Sequence, residues 1–209
     1  MNEDYCKICF KKIGDYSLYN LINKRNILCE ECFEKLKAKF ISFHLANIKG
    51  IAVYEYTDVI KELIYKFKGC YDYELKDVFL YRYINYLRIK YHNYYVAPAP
   101  SYKVDDKKRG FNHVEEIFKT LKLKMLPLFS KNMAHKQSSK SSKQRSEVNK
   151  VISIDKNIDL KDKKILLVDD IYTTGSTLLT CIELLKKQKA KHIEILVIAK
   201  TKKKEKNEY

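Results

Sequence analysis

Two adjacent carboxylates and a cluster of hydroxyl side chains lie close together in the C-terminal part of the chain. Asp169 and Asp170 end an apolar run, and a glycine flanked by hydroxyl residues follows them: Thr173, Thr174, Gly175, Ser176 and Thr177. A carboxylate only accepts hydrogen bonds, so the two acids suit a ligand with hydroxyl donors. Backbone N–H groups at a helix start, joined by side-chain hydroxyls, suit an anion. A sugar with vicinal hydroxyls and a 5′-phosphate meets both requirements.

The same residues are also compatible with a capped turn that carries two surface acids, because Ser and Thr are common at helix N-caps. Two acids, a hydroxyl-rich loop and one glycine in this order after an apolar strand are much rarer by chance. Gly175 favours the binding interpretation, since glycine lets the backbone approach a ligand closely or adopt a positive φ. No lysine follows the glycine, so the pattern is not a Walker phosphate loop.

Four cysteines near the N-terminus form two CxxC pairs separated by 19 residues: Cys6, Cys9, Cys29 and Cys32. Four thiolates suit a tetrahedral Zn²⁺ at about 2.3 Å per sulfur, and a site closed by four sulfurs is structural. Disulfides and free thiols are the alternatives. Disulfides fit poorly with a chain that begins without an export signal. We therefore predict a structural zinc site, and expect Cys70 and Cys181 to be ordinary core or helix residues.

The chain is strongly basic, with a formal charge of +16 from 42 Lys and Arg against 26 Asp and Glu. Such a charge attracts polyanions, which favours nucleic acid as a partner. Because 37 of the 42 basic residues are Lys, a composition bias toward AT-rich codons explains the charge equally well. If the charge is functional, the candidate DNA contacts lie in the basic, serine-rich stretch 131–150: Lys136, Lys140, Lys143 and Arg145. No apolar window reaches the length of a membrane span, so we expect a cytoplasmic protein without membrane insertion.

The elements that must position these residues alternate along the chain. Alternating or continuous apolar patterns predict strands at 50–56, 93–103, 163–170 and 192–201. Apolar residues at helical spacing predict helices at 58–69, at 72–91, from about 112, and at 176–190. A polar loop is expected at 104–111. The alternation predicts an α/β fold with a central parallel sheet flanked by helices. We expect this domain to span 49–209, preceded by a small zinc-ribbon-like module at 1–48.

The order of motifs resembles the ComF family over nearly the full length. These motifs are the CxxC…CxxC head, YKFKG, APAPSYK, KKRGFNH, a segment with Gln137, Arg145 and Asn149, and VDDIYTTGST. The last is similar to the 5-phosphoribosyl-1-pyrophosphate (PRPP) binding motif of type I phosphoribosyltransferases. Two departures from the family pattern occur. His113 replaces a glutamine, and Pro98-Ala99-Pro100 replaces Pro-Val-Pro without the usual His-Pro after it.

The resemblance implies a type I phosphoribosyltransferase fold and assigns roles to the site. Asp169 and Asp170 would hold the ribose hydroxyls, and residues 173–177 would hold the 5′-phosphate. A pyrophosphate loop and a mobile hood would be formed by Ala99, Pro100, Ser101, Lys103, Arg109 and Asn112. Mg²⁺ would accompany PRPP, since it favours oxygen ligands.

The resemblance also implies a function in natural competence, with single-stranded DNA and DNA-uptake proteins as partners. The alternative is a metabolic phosphoribosyltransferase that acts on a base or an amine. A PRPP-responsive regulator is a third interpretation, weakened by the lack of a clear helix-turn-helix. No residue in the sequence stands out as a general base, so the pattern leaves open whether the protein is an enzyme.

Overall fold

The computed structural model describes residues 5–13, 26–131 and 152–202. Helix α1 (Glu30–Lys35) follows the first cysteine pair. Strands β1 (Ile41–Leu45) and β2 (Ile48–Glu55) form a hairpin, which helix α2 (Asp58–Gly69) follows. Two 3₁₀ turns (Tyr73–Asp77 and Tyr81–Tyr83) lead into helix α3 (Ile84–Lys90) and strand β3 (Tyr94–Pro98).

The second half of the chain contains the remaining elements. Helices α4 (Lys103–Arg109) and α5 (His113–Lys119) are followed by short strands β4 (Lys124–Met125) and β5 (Phe129–Lys131). After 152 come β6 (Ile152–Ile154), β7 (Lys164–Tyr172), helix α6 (Ser176–Lys187) and β8 (His192–Lys200).

A six-stranded sheet forms the centre of the described chain, in the order β1-β2-β8-β7-β3-β4. All its pairs are parallel except β1–β2, while β5 and β6 form a separate antiparallel pair. The middle residues of strands β7 and β8 are buried, which explains their continuous apolar sequences. The predicted α/β fold with a central, mainly parallel sheet is confirmed.

The prediction of one helix over 72–91 was wrong. The segment forms two 3₁₀ turns and a short α-helix, and three successive side chains, Val78, Phe79 and Leu80, are buried. An α-helix would turn such neighbours to different faces, so one helix could not bury all three against one core. The Tyr54 hydroxyl donates to the Phe79 carbonyl at 2.8 Å and helps to hold this irregular segment.

The prediction of a polar loop over 104–111 was also wrong, because Lys103–Arg109 forms helix α4. Asp105 and Asp106 lie in its first turn, and three basic residues lie in its last turn, an arrangement that complements the helix dipole. Gly110 ends the helix with φ 85°, a common C-terminal cap.

Strand β1 was not expected from the sequence. The β1–β2 turn is made by Ala46 and Asn47, which both have positive φ, as a two-residue hairpin requires. Since β1 pairs with β2, the central sheet begins before residue 49. The division at 48/49 into two domains stays a prediction.

Candidate functional site

The paired carboxylates lie where the direction of chain winding in the sheet reverses. The segment after β3 leads to α5, which packs on one face of the sheet, whereas β7 leads to α6 on the other face. Accordingly, Leu166 and Val168 share a core cluster with α5 residues, and Leu167 shares one with α6 residues. Connections that leave adjacent strands toward opposite faces open a crevice at the carboxyl ends of those strands, where α/β proteins bind ligands.

Asp170 lies in this crevice with both carboxylate oxygens engaged. The side chain is 11% exposed, and its Oδ2 accepts from Lys68 Nζ at 3.0 Å and from His113 Nε2 at 3.1 Å. Its Oδ1 accepts from the N–H of Ile171 at 2.7 Å. Burial by itself would raise the pKa of Asp170, but the hydrogen bond from His113 and the charge of Lys68 lower it below its usual range. Asp170 is therefore a carboxylate held ionised and fixed in orientation.

Asp169 differs from its neighbour because no cation among the described residues contacts it directly. Burial, and then the charge of Asp170, raise the pKa of Asp169 well above its usual range. One of its oxygens accepts from the N–H of Asp170 at 2.9 Å. Two adjacent carboxyls thus have opposite electrostatic environments, and a ligand with hydroxyl donors or a cation would relieve the cost at Asp169.

The hydroxyl-rich segment forms a tight loop into helix α6, which starts at Ser176 as predicted. Gly175 precedes the helix with φ 75°, and its carbonyl accepts from Leu179 N at 2.8 Å as the first helical hydrogen bond. The N–H groups of the first turn therefore point out of the helix end. The Thr174 and Ser176 hydroxyls lie 3.0 Å apart at the exposed rim of this loop. Amides and hydroxyls together form an anion-binding geometry.

Aromatic packing fixes the position of the loop from below. A Cβ on Gly175 would lie 2.6 Å from the Tyr172 ring and 3.1 Å from the Leu45 side chain. The Tyr172 ring is itself stacked on Phe43 with centroids 4.5 Å apart. Glycine is therefore required at this position both for its backbone angle and for the space beneath it.

A cavity of about 260 Å³ brings together six of the predicted site residues: Pro100, Ser101, Arg109, Asp169, Asp170 and Thr177. An adjoining cavity of about 150 Å³ is lined by three more, Ala99, Lys103 and Asn112. The two cavities share Pro100, Ser101 and Lys131. Thr173, Thr174, Gly175 and Ser176 line neither cavity but form the adjoining loop.

Residues of the predicted hood form a buried network. The Arg109 side chain is 5% exposed, and its NH1 donates to Asp106 Oδ1 at 3.0 Å and to His113 Nδ1 at 3.1 Å. Asn112 caps α5 by accepting from Glu115 N at 3.0 Å, and it donates to the Ser101 hydroxyl at 3.0 Å. These contacts tie the segment after β3 to the start of α5.

Sequence reasoning missed two residues that contact Asp170. Lys68 comes from α2 in the YKFKG motif, and His113 was given no role. Lys131 and Tyr102 also line the cavity, with the ammonium 4.1 Å from the ring centroid. The sequence did point to the region of three of them: His113 departs from the family glutamine, and Lys68 and Tyr102 lie in the quoted motifs YKFKG and APAPSYK.

The four N-terminal cysteines converge as predicted, with all Sγ atoms within 4.8 Å of one another. Cys6 and Cys32 are buried, and the Sγ atoms of Cys9 and Cys29 are 3.6 Å apart. Burial raises the pKa of Cys29 and Cys32, whereas backbone hydrogen bonds outweigh burial at Cys6 and lower the pKa of that thiol to about 7. The cluster has the donor set of a four-sulfur metal site.

This cysteine module is attached to the larger body by charged contacts. Lys7 Nζ lies 2.7 Å from Glu74 and 2.9 Å from Asp77 in the first 3₁₀ turn. The Arg82 guanidinium lies 3.7 Å from the centroid of the Phe33 ring. The module therefore packs against the irregular segment between α2 and α3.

The candidate DNA contacts Lys136, Lys140, Lys143 and Arg145 lie outside the described residues. In the described part of the chain, no helix has the length and apolar character needed to cross a membrane.

Comparisons with known proteins give one matching family model and several similar proteins. Residues 107–209 match the family model described as phosphoribosyl transferase domain. The chain is 27% identical to competence protein ComFC of Streptococcus pneumoniae (strain ATCC BAA-255 / R6), over 90% of this chain and 83% of that protein. It is 30% identical to competence protein ComFC of Bacillus subtilis (strain 168), over 61% of this chain and 53% of that protein. A solved purine phosphoribosyltransferase from Pyrococcus horikoshii Ot3 is 23% identical, with a TM-score of 0.38, over 60% of this chain and 72% of that one.

Proposed function

Since the chain has the type I phosphoribosyltransferase fold and is a relative of the ComFC competence proteins, we propose that it binds PRPP at the β3–β7 crevice. Asp169 and Asp170 accept hydrogen bonds from the ribose 2′- and 3′-hydroxyls. Thr173 to Thr177 hold the 5′-phosphate with their backbone amides and hydroxyls. One observation carries this proposal: Asp169, the fixed carboxylate Asp170 and Thr177 in the first turn of α6 line the same cavity.

The pyrophosphate of PRPP would extend toward the segment after β3. Ser101 and Lys131 line both adjoining cavities, and Lys103 lines the smaller one. Lys131 and Lys103 are the cations best placed to meet the pyrophosphate. Mg²⁺ enters as part of the substrate complex, bound to oxygens of PRPP, and offsets their charge. Arg109 is a weaker candidate because its guanidinium is already engaged with Asp106 and His113.

Any transfer reaction at this site would displace pyrophosphate from C1 of the ribose. In such a reaction the protein would hold the sugar in position and stabilise the negative charge of the departing pyrophosphate. A metabolic phosphoribosyltransferase is the second candidate function, and one observation favours it. A cavity of about 530 Å³ adjoins the ribose site, shares Lys68 and Ile171 with it, and is lined by Tyr56 and Tyr65. Such a cavity can hold a planar acceptor.

A function in natural competence is favoured over this alternative because two relatives carry that name. The basic stretch 131–150 is the proposed surface for single-stranded DNA, and DNA-uptake proteins are the proposed partners. For single strands, the plot of log affinity against log salt has a negative slope that steepens by about 0.7 for each phosphate contact. Replacing Lys136, Lys140 and Lys143 by Gln should therefore make the slope for mixed-sequence oligonucleotides less steep by about 2. An unchanged slope would remove this stretch as the DNA surface.

The cysteine cluster is proposed to hold one structural Zn²⁺. Four thiol donors, two of them buried, fit this ion and leave no open position for a substrate. A module of about 45 residues is too short to bury enough apolar surface to fold alone, so the metal would supply its folding free energy.

Isothermal titration with PRPP in the presence of Mg²⁺ tests the proposal. We expect one site per wild-type chain and at least about tenfold weaker binding for Asp170→Asn, because a charge-assisted hydrogen bond to a ribose hydroxyl is lost. Asp162→Asn is the matched control, since Asp162 is an exposed acid in the turn before β7. Equal affinity of wild type and Asp170→Asn would refute the assignment of the carboxylates.

A further inference from the structure

Three side chains form a buried hydrogen-bonded row that ends at the proposed ribose-binding acid. Arg109 NH1 contacts His113 Nδ1 at 3.1 Å, and His113 Nε2 contacts Asp170 Oδ2 at 3.1 Å. The side chains of Arg109, His113 and Asp170 are 5%, 6% and 11% exposed. A buried row of this kind is stable only if each donor meets an acceptor, so the contacts determine where the protons lie.

The Arg109 guanidinium determines which ring nitrogen of His113 carries the proton. Arg109 remains protonated and can only donate, so His113 Nδ1 must accept and carries no proton. The proton of the neutral ring is then on Nε2, which donates to the carboxylate of Asp170. Arg109 itself cannot turn away easily, because its Nε donates to the Lys68 carbonyl at 3.1 Å and its NH1 to Asp106.

The protein contacts of Asp170 occupy some, but not all, of the acceptor positions of its carboxylate. Oδ2 receives the imidazole N–H and the Lys68 ammonium, and Oδ1 receives the Ile171 N–H. A carboxylate offers about four acceptor positions, so at least one remains for a ligand in the cavity. Its direction is set by the three protein donors and not by the ligand.

We propose that His113 is the positioning residue for Asp170, and that Arg109 acts by holding His113 in its Nε2–H form. This inference rests on the proposed PRPP site and changes one assignment within it: Arg109 orients the ribose acid and does not bind pyrophosphate. The family pattern that this segment resembles has a glutamine at the position of His113, and the row explains why either residue fits there. A glutamine offers one amide oxygen to accept from Arg109 and one N–H to donate to Asp170, so it can do what His113 does here.

The test compares two substitutions of His113 by calorimetric PRPP titration with Mg²⁺. His113→Leu removes both contacts, and we expect it to weaken binding by about tenfold to a hundredfold, the cost of a lost hydrogen bond to a charged group. His113→Gln restores the acceptor and the donor, and we expect it to recover most of that loss. A role limited to filling space would not distinguish the amide from the similarly sized apolar side chain. Undiminished binding by His113→Leu, or equal losses in both variants, would overturn the inference.

A spectroscopic readout on the free wild-type protein covers the case in which His113→Leu does not fold. The ¹⁵N shifts and two-bond couplings of His113 should show a protonated Nε2 and an unprotonated Nδ1 at neutral pH. A proton on Nδ1 would contradict the row. If wild-type protein fails to bind PRPP at all, the proposed function is refuted, whereas wild-type binding with an unaffected His113→Leu refutes only the role of His113.

Discussion

Replacing Gly175 by Ala tests how the phosphate loop is built. Gly175 has φ 75°, and a left-handed backbone costs a non-glycine residue about 1–2 kcal/mol. Its new Cβ would also lie 2.6 Å from the Tyr172 ring, which is stacked on Phe43 and cannot move freely. Forcing one methyl group into such packing costs about 1–3 kcal/mol. We therefore expect Gly175→Ala to lower the free energy of unfolding by about 2–5 kcal/mol.

Gly110→Ala provides the matched control for stability. Gly110 has a similar φ of 85°, but no described atom lies within 4 Å of the position of its Cβ. Its substitution should cost only the backbone contribution of about 1–2 kcal/mol. The difference between the two variants then measures the close approach of the Tyr172 and Leu45 side chains to the loop.

Urea unfolding at neutral pH, followed by circular dichroism, gives the free energy of unfolding of both variants. Thermal unfolding is a second measurement, in which each kcal/mol corresponds to a shift of about 2–4 °C in the midpoint for a chain of this length. We also expect Gly175→Ala to lose PRPP affinity, because the loop amides must move to accommodate the methyl group. Equal destabilisation of Gly175→Ala and Gly110→Ala would refute the reasoning that the aromatic stack supports the loop.

Further predictions concern the acids and the cysteines. Asp170→Asn should destabilise the free protein by about 1–3 kcal/mol, the cost of losing charge-assisted hydrogen bonds. Because the pKa of Asp170 is lowered in the folded state, this cost should be complete above about pH 4, the usual Asp pKa, and should decline as the pH falls from 4 to 3. Asp169→Asn should instead stabilise the free protein at neutral pH, since the raised pKa of Asp169 means that folding penalises its charge, and the gain should fade toward pH 4. Urea unfolding between pH 3 and 8 measures both, and a destabilising Asp169→Asn would contradict the burial argument. Cys32→Ser should remove bound zinc and lower the thermal midpoint, whereas Cys70→Ser, at an exposed helix end, should leave one zinc per chain by elemental analysis. Equal zinc contents in the two variants would exclude the cluster as the site.

The sequence was sufficient for elements whose pattern is local. Apolar density identified β7, and helical spacing with a glycine at the end identified α2 to the residue. The carboxylates and the hydroxyl loop follow one another along the chain, so their closeness was predictable. The four cysteines were predictable because two CxxC pairs at this spacing are a known metal-ligand pattern, although Cys29 and Cys32 lie at the start of helix α1 rather than in a turn.

Contacts between distant segments were not predictable. Lys68 and His113 are separated from Asp170 by 102 and 57 residues, and only the packing of α2 and α5 beside the end of β7 brings them together. The prediction of one helix over 72–91 failed for a related reason. Its three consecutive apolar residues belong to one core, and tertiary packing outweighed the helical pattern around them.

A crystal structure of the protein with PRPP and Mg²⁺ would show whether the sugar phosphate lies in the β3–β7 crevice. We expect the ribose 2′- and 3′-hydroxyls within hydrogen-bonding distance, about 2.7–3.0 Å, of the carboxylates of Asp169 and Asp170. The 5′-phosphate should accept from the amides at the start of α6, beside Gly175. Density for the sugar phosphate elsewhere on the protein, with this crevice empty at a saturating ligand concentration, would show that Asp169, Asp170 and the Gly175 loop do not form the PRPP site.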